Sequence, residues 1–111
     1  MAAVTREFIE RMTEEIVRTE NPEKIYLFGS FARGDAREDS DVDILVVTNR
    51  PFDSHHSRRQ VLSSIRQALS QFHVAKDILV LSAEEMEKWQ HSTNHIASAI
   101  AREGIVLHER S

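Results

Sequence analysis

Cysteine is absent from the 111 residues of this chain. This absence excludes disulfide bonds, thiolate nucleophiles and thiolate metal sites, and it is typical of a protein that folds in a reducing compartment. Long apolar runs are absent as well, and charged residues interrupt positions 1–20, where a secretory signal would need an apolar segment. The sequence therefore predicts a cytoplasmic protein without a membrane segment.

An excess of positive charge is also absent, since 14 Lys and Arg face 18 Asp and Glu for a net charge of -4. Non-specific binding of nucleic acid requires a basic surface that replaces phosphate counterions, so this balance argues against DNA or RNA as the main partner. The length and the 41% apolar content suit one compact core. We therefore expect a single domain over residues 1–111.

Apolar residues at helical spacing predict three main helices. The first carries apolar positions from Val4 to Val17 and ends at Asn21-Pro22, and the second runs from about residue 54 to 72. A third begins at a capping box, Ser82 to Glu85, and continues to Gly104. Its inward positions are Met86, Trp89, Thr93, Ile96, Ala97 and Ile100.

Short apolar runs bounded by turn residues predict the strands. They lie at residues 25–28, 42–47 and 77–81, and residues 105–107 form a possible short edge strand. Residues 30–41 leave room for a turn or two of helix before Gly34. The order α-β-α-β-α-β-α indicates an α/β domain, which does not by itself define a function.

Two acids open the second strand, Asp41 and Asp43, and they alternate with Val42 and Ile44. In an extended chain both carboxylates project from one face while the apolar residues enter the other. Magnesium prefers hard oxygen ligands and retains phosphate oxygens in its shell. Paired carboxylates next to a phosphate-binding turn would therefore suit a site for two metal ions.

The turn after the first strand, Gly29-Ser30, is a candidate for that phosphate-binding turn. Glycine permits close approach of the backbone, and a following helix would present free N–H groups to phosphates. Ser30 adds a hydroxyl donor. On the third strand, Asp77 precedes an apolar run, and a carboxylate there is costly unless it faces solvent or a site.

The stretch Gly29-Ser30, ten residues and Asp41-Val42-Asp43 resembles the signature of the polymerase-beta-like nucleotidyltransferase superfamily. The fuller segment from Phe28 to Val46 is similar to the minimal nucleotidyltransferases, which are the MntA-like antitoxins of HEPN/MNT toxin-antitoxin systems. The resemblance covers the whole chain, because members of that group are similarly short.

This resemblance implies a small mixed sheet flanked by helices, with ATP as the donor and two Mg²⁺ ions. It implies transfer of AMP to a tyrosine hydroxyl of a HEPN toxin, with release of pyrophosphate, so that the chain would be the antitoxin of a type VII pair. Ser30 would contact the triphosphate, Asp41 and Asp43 would hold the metals, and Asp77 falls at the family's third carboxylate. The alternative is an antitoxin that neutralises its partner by binding alone, without catalysis.

Other charged residues and histidines are more typical of a solvated surface than of a site. Arg33, Arg37 and Lys76 are candidates for phosphate contacts, and we retain only Arg33 as a nucleotide-binding residue. Glu87, His91 and His95 have a spacing that could suggest zinc, but on one continuous helix they would form a solvated face. Arg66 and His73 have the spacing of HEPN ribonuclease motifs, yet the chain lacks the all-helical pattern of those toxins.

Overall fold

The computed structural model describes residues 4–110. Five helices lie in this range: α1 (Arg6–Glu20), α2 (Ser30–Arg33), α3 (Arg58–Ala68), α4 (Ala83–Trp89) and α5 (Ile96–Glu103). The strands are β1 (Lys24–Phe28), β2 (Val42–Thr48), β3 (Lys76–Ser82) and β4 (Ile105–Glu109). All four predicted strands are confirmed, including the short one at residues 105–107, which is two residues longer than the sequence indicated.

The four strands form one mixed sheet in the order β3-β2-β1-β4. β1 pairs antiparallel with both β2 and β4, whereas β2 and β3 are parallel. The parallel pair requires a crossover, which α3 supplies between the two strands. This topology confirms the mixed sheet that the resemblance implied.

Helices cover both faces of the sheet, because strand residues alternate between them. On the first face, α1 and α3 pack against strand residues such as Ile25, Ile44 and Val80. On the second face, α4 and α5 pack against a smaller cluster that includes Tyr26 and Leu45. No helix within residues 4–110 has the length and apolar content needed to span a bilayer.

The predicted helix behind the third strand is wrong as a single element, because the structure divides it into α4 and α5. The polar stretch 90–95 turns the chain, and His95 begins α5 by accepting a hydrogen bond from the N–H of Ala97 at 3.0 Å. Thr93 is exposed and Ile96 is 50% exposed, so neither is an inward position. Short polar residues favour turns over helix interiors, which explains the break.

The helix expected at residues 54–72 is also shorter than the sequence indicated. Asp53 and His56 form a tight turn, with the N–H of Asp53 bonded to the carbonyl of His56 at 3.0 Å. Ser57 then caps α3 through a capping box with Gln60. This local cap competes with an earlier helix start and fixes the first turn at Arg58.

Candidate active site

Two aspartates lie side by side where β2 and β3 begin. Asp43 and Asp77 are each the second residue of their strand, and their Cα atoms are register partners in the parallel pair. Neighbours in register project to the same face of a sheet, which here is the face that carries Leu45 and Leu79. The structure therefore brings together two of the three predicted carboxylates through the backbone ladder alone.

Gly29 completes this corner of the sheet from the neighbouring strand. It follows Phe28, which is the register partner of Asp43 in the antiparallel pair of β1 and β2. Its backbone has φ 72° and ψ -155°, a region that is essentially restricted to glycine. A Cβ atom at this position would lie 2.1 Å from Oδ2 of Asp43. The absence of a side chain at Gly29 thus makes room for the Asp43 carboxylate, a role that the sequence alone did not reveal.

Asp41 lies just before the first residue of β2 and is exposed, as is Asp77, whereas Asp43 is half-buried. Within residues 4–110, no three carboxylate or imidazole groups are close enough together to hold a metal ion as they stand. The donors are of the hard oxygen type that Mg²⁺ prefers. The support for a metal ion is therefore the chemistry of the oxygen donors and the proximity of their like charges, since the described residues form no ready three-ligand cluster.

The surroundings of Asp43 disfavour its charged form. Burial raises the pKa of the Asp43 carboxyl above its ordinary value of 3.8, and the negative charges of Asp77 and Asp41 raise that pKa further. The guanidinium of Arg33 acts in the opposite direction. The three aspartates are only partly compensated by Arg33, so a cation bound beside Asp43 would be stabilised.

This electrostatic arrangement predicts a pH-dependent stability difference between the wild-type protein and an Asp43→Asn variant. An acid whose pKa is raised by folding stabilises the folded state below its unfolded pKa, and that contribution is lost as the pH rises through the folded pKa. Asparagine does not ionise, so the variant should gain stability over the wild type as the pH rises above 3.8 and through the raised pKa of Asp43. Thermal unfolding without divalent cations measures this gain. A difference that stays constant with pH would contradict the assignment.

The Gly29-Ser30 turn leads directly into α2, which has four residues. The carbonyl of Gly29 accepts hydrogen bonds from the N–H groups of Ala32 and Arg33, both at 3.1 Å. The N–H groups before them, at the start of the helix, have no helical partner, because the first turn of any helix lacks preceding carbonyls. Ser30 is half-buried beside them. Arg33 is exposed, and its Nε lies 3.3 Å from Oδ2 of Asp35. Arg33 is close enough to Asp43 for its charge to lower the pKa of that carboxyl, and Ser30 directly follows Gly29.

Lys76 is not available as a phosphate contact. Its Nζ donates to the carbonyls of Phe72 and Val74, at 2.8 and 3.1 Å, and so fastens the loop that precedes β3. It also alternates with Asp77 along the strand and therefore points to the opposite face of the sheet. Arg37 lies in an exposed loop whose backbone N–H bonds to the Ser40 hydroxyl at 2.7 Å. The ammonium group of Lys76 is therefore occupied away from the site, whereas Arg37 stays a sequence-based candidate.

The histidines of the last helical region form no metal site within the described chain. Glu87 and His91 are exposed, as expected for a solvated face. His95 differs from that expectation, because its ring stacks on Trp89 with centroids 4.7 Å apart and an interplanar angle of 13°. The histidine therefore stabilises the turn between α4 and α5.

Comparison with known proteins identifies the class to which this fold and site correspond. The nucleotidyltransferase domain family matches residues 9–107, a range that includes the three aspartates and the Gly29-Ser30 turn. The chain therefore belongs to this family. A relative from Methanocaldococcus jannaschii, which is named as a protein adenylyltransferase, is 36% identical over 88 residues, and the match covers 77% of each chain.

Solved structures share the fold. A chain from a toxin-antitoxin complex crystallised with AMP-PNP superposes with a TM-score of 0.56 at 22% identity, covering 92% of this chain and 74% of that one. A chain from the Shewanella oneidensis complex of tri-AMPylated HEPN toxin with MNT antitoxin gives a TM-score of 0.53 at 18% identity, with coverage of 96% and 74%. These matches establish the same arrangement of sheet and helices at low sequence identity.

Proposed function

We propose that this nucleotidyltransferase transfers AMP from ATP to a tyrosine hydroxyl of a HEPN-type toxin and thereby acts as an antitoxin. The observation that carries the proposal is the in-register pair Asp43 and Asp77 beside the Gly29 turn. Three further facts support it: the family membership, the relative named as a protein adenylyltransferase, and the fold shared with toxin-antitoxin structures.

In this proposal the chain binds the triphosphate at the Gly29-Ser30 turn, where free backbone amides and the Ser30 hydroxyl would donate to phosphate oxygens. Arg33 would add a positive charge at the exposed side. Asp41, Asp43 and Asp77 would hold Mg²⁺, which when bound neutralises phosphate charge and lowers the pKa of a nearby hydroxyl.

The transfer step exchanges one bond at phosphorus and moves one proton. The acceptor oxygen attacks the α-phosphorus of ATP in line, the bond from that phosphorus to the bridging oxygen breaks, and pyrophosphate leaves with the electron pair. The acceptor proton passes to a carboxylate oxygen of Asp77. Asp77 suits this task because it is exposed and therefore reachable by a hydroxyl from another molecule.

A partner protein is needed to complete the site. Asp41 and Asp77 are both exposed, so the carboxylates face open solvent in the described structure. Catalysis in a site of this kind benefits from exclusion of water and from a held acceptor. We therefore expect slow turnover of ATP by the isolated chain and faster transfer within a complex.

The test is to purify the chain together with a HEPN-type protein encoded beside it and to add ATP with Mg²⁺. The intact mass of the partner should rise by one or more AMP units, and the modified residue should be a tyrosine. Chelation of Mg²⁺ should prevent the gain. If the partner is neutralised without any gain in mass, then the chain acts by binding alone and the catalytic proposal is wrong.

Metal binding can be measured without activity. A ligand that binds only the folded state stabilises it by about 2.7 kcal/mol at a concentration of 100 times its Kd. Addition of Mg²⁺ with a non-hydrolysable ATP analogue should raise the unfolding temperature of the wild type, and Asp43→Asn should lose most of that rise. An equal rise in both proteins would show that Asp43 does not hold the metal.

A further inference from the structure

The two edge strands of the sheet, β3 and β4, differ in how they are protected from pairing with a further strand. On β3, Nη1 of Arg58 donates to the carbonyl of Val80 at 2.7 Å, and the same guanidinium pairs with Glu85. A charged side chain of this kind blocks further strand pairing. On β4, Ile105 and Val106 are 44% and 46% exposed, and the outer edge pairs with no strand of residues 4–110. The β4 edge is therefore open to an additional strand.

A groove of about 760 Å³ lies between α1 and β4, and we call it the α1–β4 groove. Its apolar lining includes Ile9, Val17, Leu27 and Phe31. His108 also lines the groove, and its Nε2 atom is buried without a hydrogen-bond partner in the described chain. The groove is thus an apolar concave surface beside the open β4 edge, with one polar atom that has no partner among the described residues.

Charges on α1 restrict what can fill the groove. Residues at four-residue spacing along one side of the helix line it and form a charge stripe, Arg6-Glu10-Glu14-Arg18. Arg6 contacts Glu10 at 3.4 Å, while Arg18 pairs with Glu15, so Glu14 has no cationic partner among the described residues. The order of charges is the same from either end. If two copies met through antiparallel stripes, each arginine would face an arginine and each glutamate a glutamate, which disfavours a second copy.

We propose that the α1–β4 groove binds an extended segment of a partner protein that pairs with the β4 edge. Its inward side chains are apolar and fill the groove, and a lysine or arginine near its centre pairs with Glu14 and Glu10. Phe31, which directly follows Ser30, lines the groove. A segment bound there places the partner beside the proposed phosphate turn. The binding claim does not depend on AMP transfer.

The experiment uses ¹⁵N-labelled full-length chain and a synthetic peptide of about eight residues, a usual strand length, in which valine alternates with threonine around two central lysines. We expect shifts of the amide signals of Ile105 to Glu109 and of the His108 ring. The matched peptide carries glutamate in place of lysine and should bind about five- to tenfold more weakly. Glu14→Lys should reverse this preference. Glu87→Lys should leave it unchanged, because Glu87 is exposed on α4, which covers the opposite face of the sheet.

Three results would overturn the proposal. The first is equal affinity for the two peptides, and the second is peptide-induced shifts confined to other surfaces. The third is a dimer in sedimentation analysis that Ile105→Ser converts to monomer, which would make a second copy the occupant. Ile105 is partly exposed, so this variant should retain its fold, and its unfolding temperature checks that point. An inactive transferase that still prefers the lysine peptide would leave the binding surface established and the catalytic proposal wrong.

Discussion

Asp43→Asn should lower the rate of AMP transfer by about a thousandfold or more, while the variant remains folded. Asparagine preserves the shape of the side chain but removes a charge from the half-buried carboxylate beside Asp77. Metal-assisted charge stabilisation contributes several kcal/mol to a transition state, and about 4 kcal/mol corresponds to three powers of ten in rate. Single-turnover transfer to the partner, followed by intact mass, measures this loss without interference from product release.

Asp39→Asn is the matched control for this experiment. Asp39 is exposed in the loop before β2 and lies outside the Asp41-Val42-Asp43 motif. The same chemical change there should leave the transfer rate within about twofold of the wild type, because the charge of an exposed residue is screened by solvent. If both variants lose activity equally, net charge explains the effect and Asp43 has no specific role.

Gly29→Ala should lower the transfer rate strongly and also destabilise the fold. The added Cβ would lie 2.1 Å from Oδ2 of Asp43, so that the carboxylate must leave its position or the turn must move. The backbone conformation at Gly29 adds a cost of about 1–3 kcal/mol for any other residue. We expect a fall in transfer rate of at least about a hundredfold, since a displacement of about 1 Å at a catalytic group costs this much. Thermal unfolding and transfer assays on one preparation separate the two effects.

Gly34→Ala separates backbone strain from the clash with Asp43. Gly34 also has a positive φ, 84°, but a Cβ atom there would meet nothing within 4 Å. This variant should lose about 1 kcal/mol of stability, the usual cost of a left-handed conformation outside glycine, and should keep its activity. Loss of activity in Gly34→Ala as well would mean that the whole α2 turn, rather than the space beside Asp43, determines the rate.

The strands and the chemical motif follow from local patterns, which explains why the sequence predicts them. Apolar runs ended by Gly29 and by Asn49 have strand length, and Asp41 and Asp43 alternate with buried residues, so their placement depends only on the period of a strand. The first helix is predicted for the same reason, since its apolar spacing is regular and Thr5 caps it by accepting from the N–H of Phe8. These features depend on neighbours in sequence.

The features that the sequence did not predict depend on contacts between distant residues. The division of α4 from α5 involves the stacking of His95 on Trp89, which no helical period reveals. The space that Gly29 provides for Asp43 depends on the pairing of β1 with β2. The sequence makes Lys76 a candidate for a phosphate contact, but its ammonium group donates to carbonyls of the preceding loop. The roles of Asp41, Asp43 and Asp77 as metal ligands remain predictions from the motif.

The parallel ladder between β2 and β3 couples the stability of the fold to the correct placement of Asp77 beside Asp43. Seven residue pairs define it, from Val42 with Lys76 to Thr48 with Ser82. A slip of β3 by one residue would turn Asp77 into the apolar cluster under α1 and α3 and would bring Ile78 out beside Asp43. Such a chain would be unstable as well as inactive. The register that buries the apolar residues of β3 is therefore the same register that aligns Asp43 with Asp77. Every correctly folded molecule has the two acids side by side.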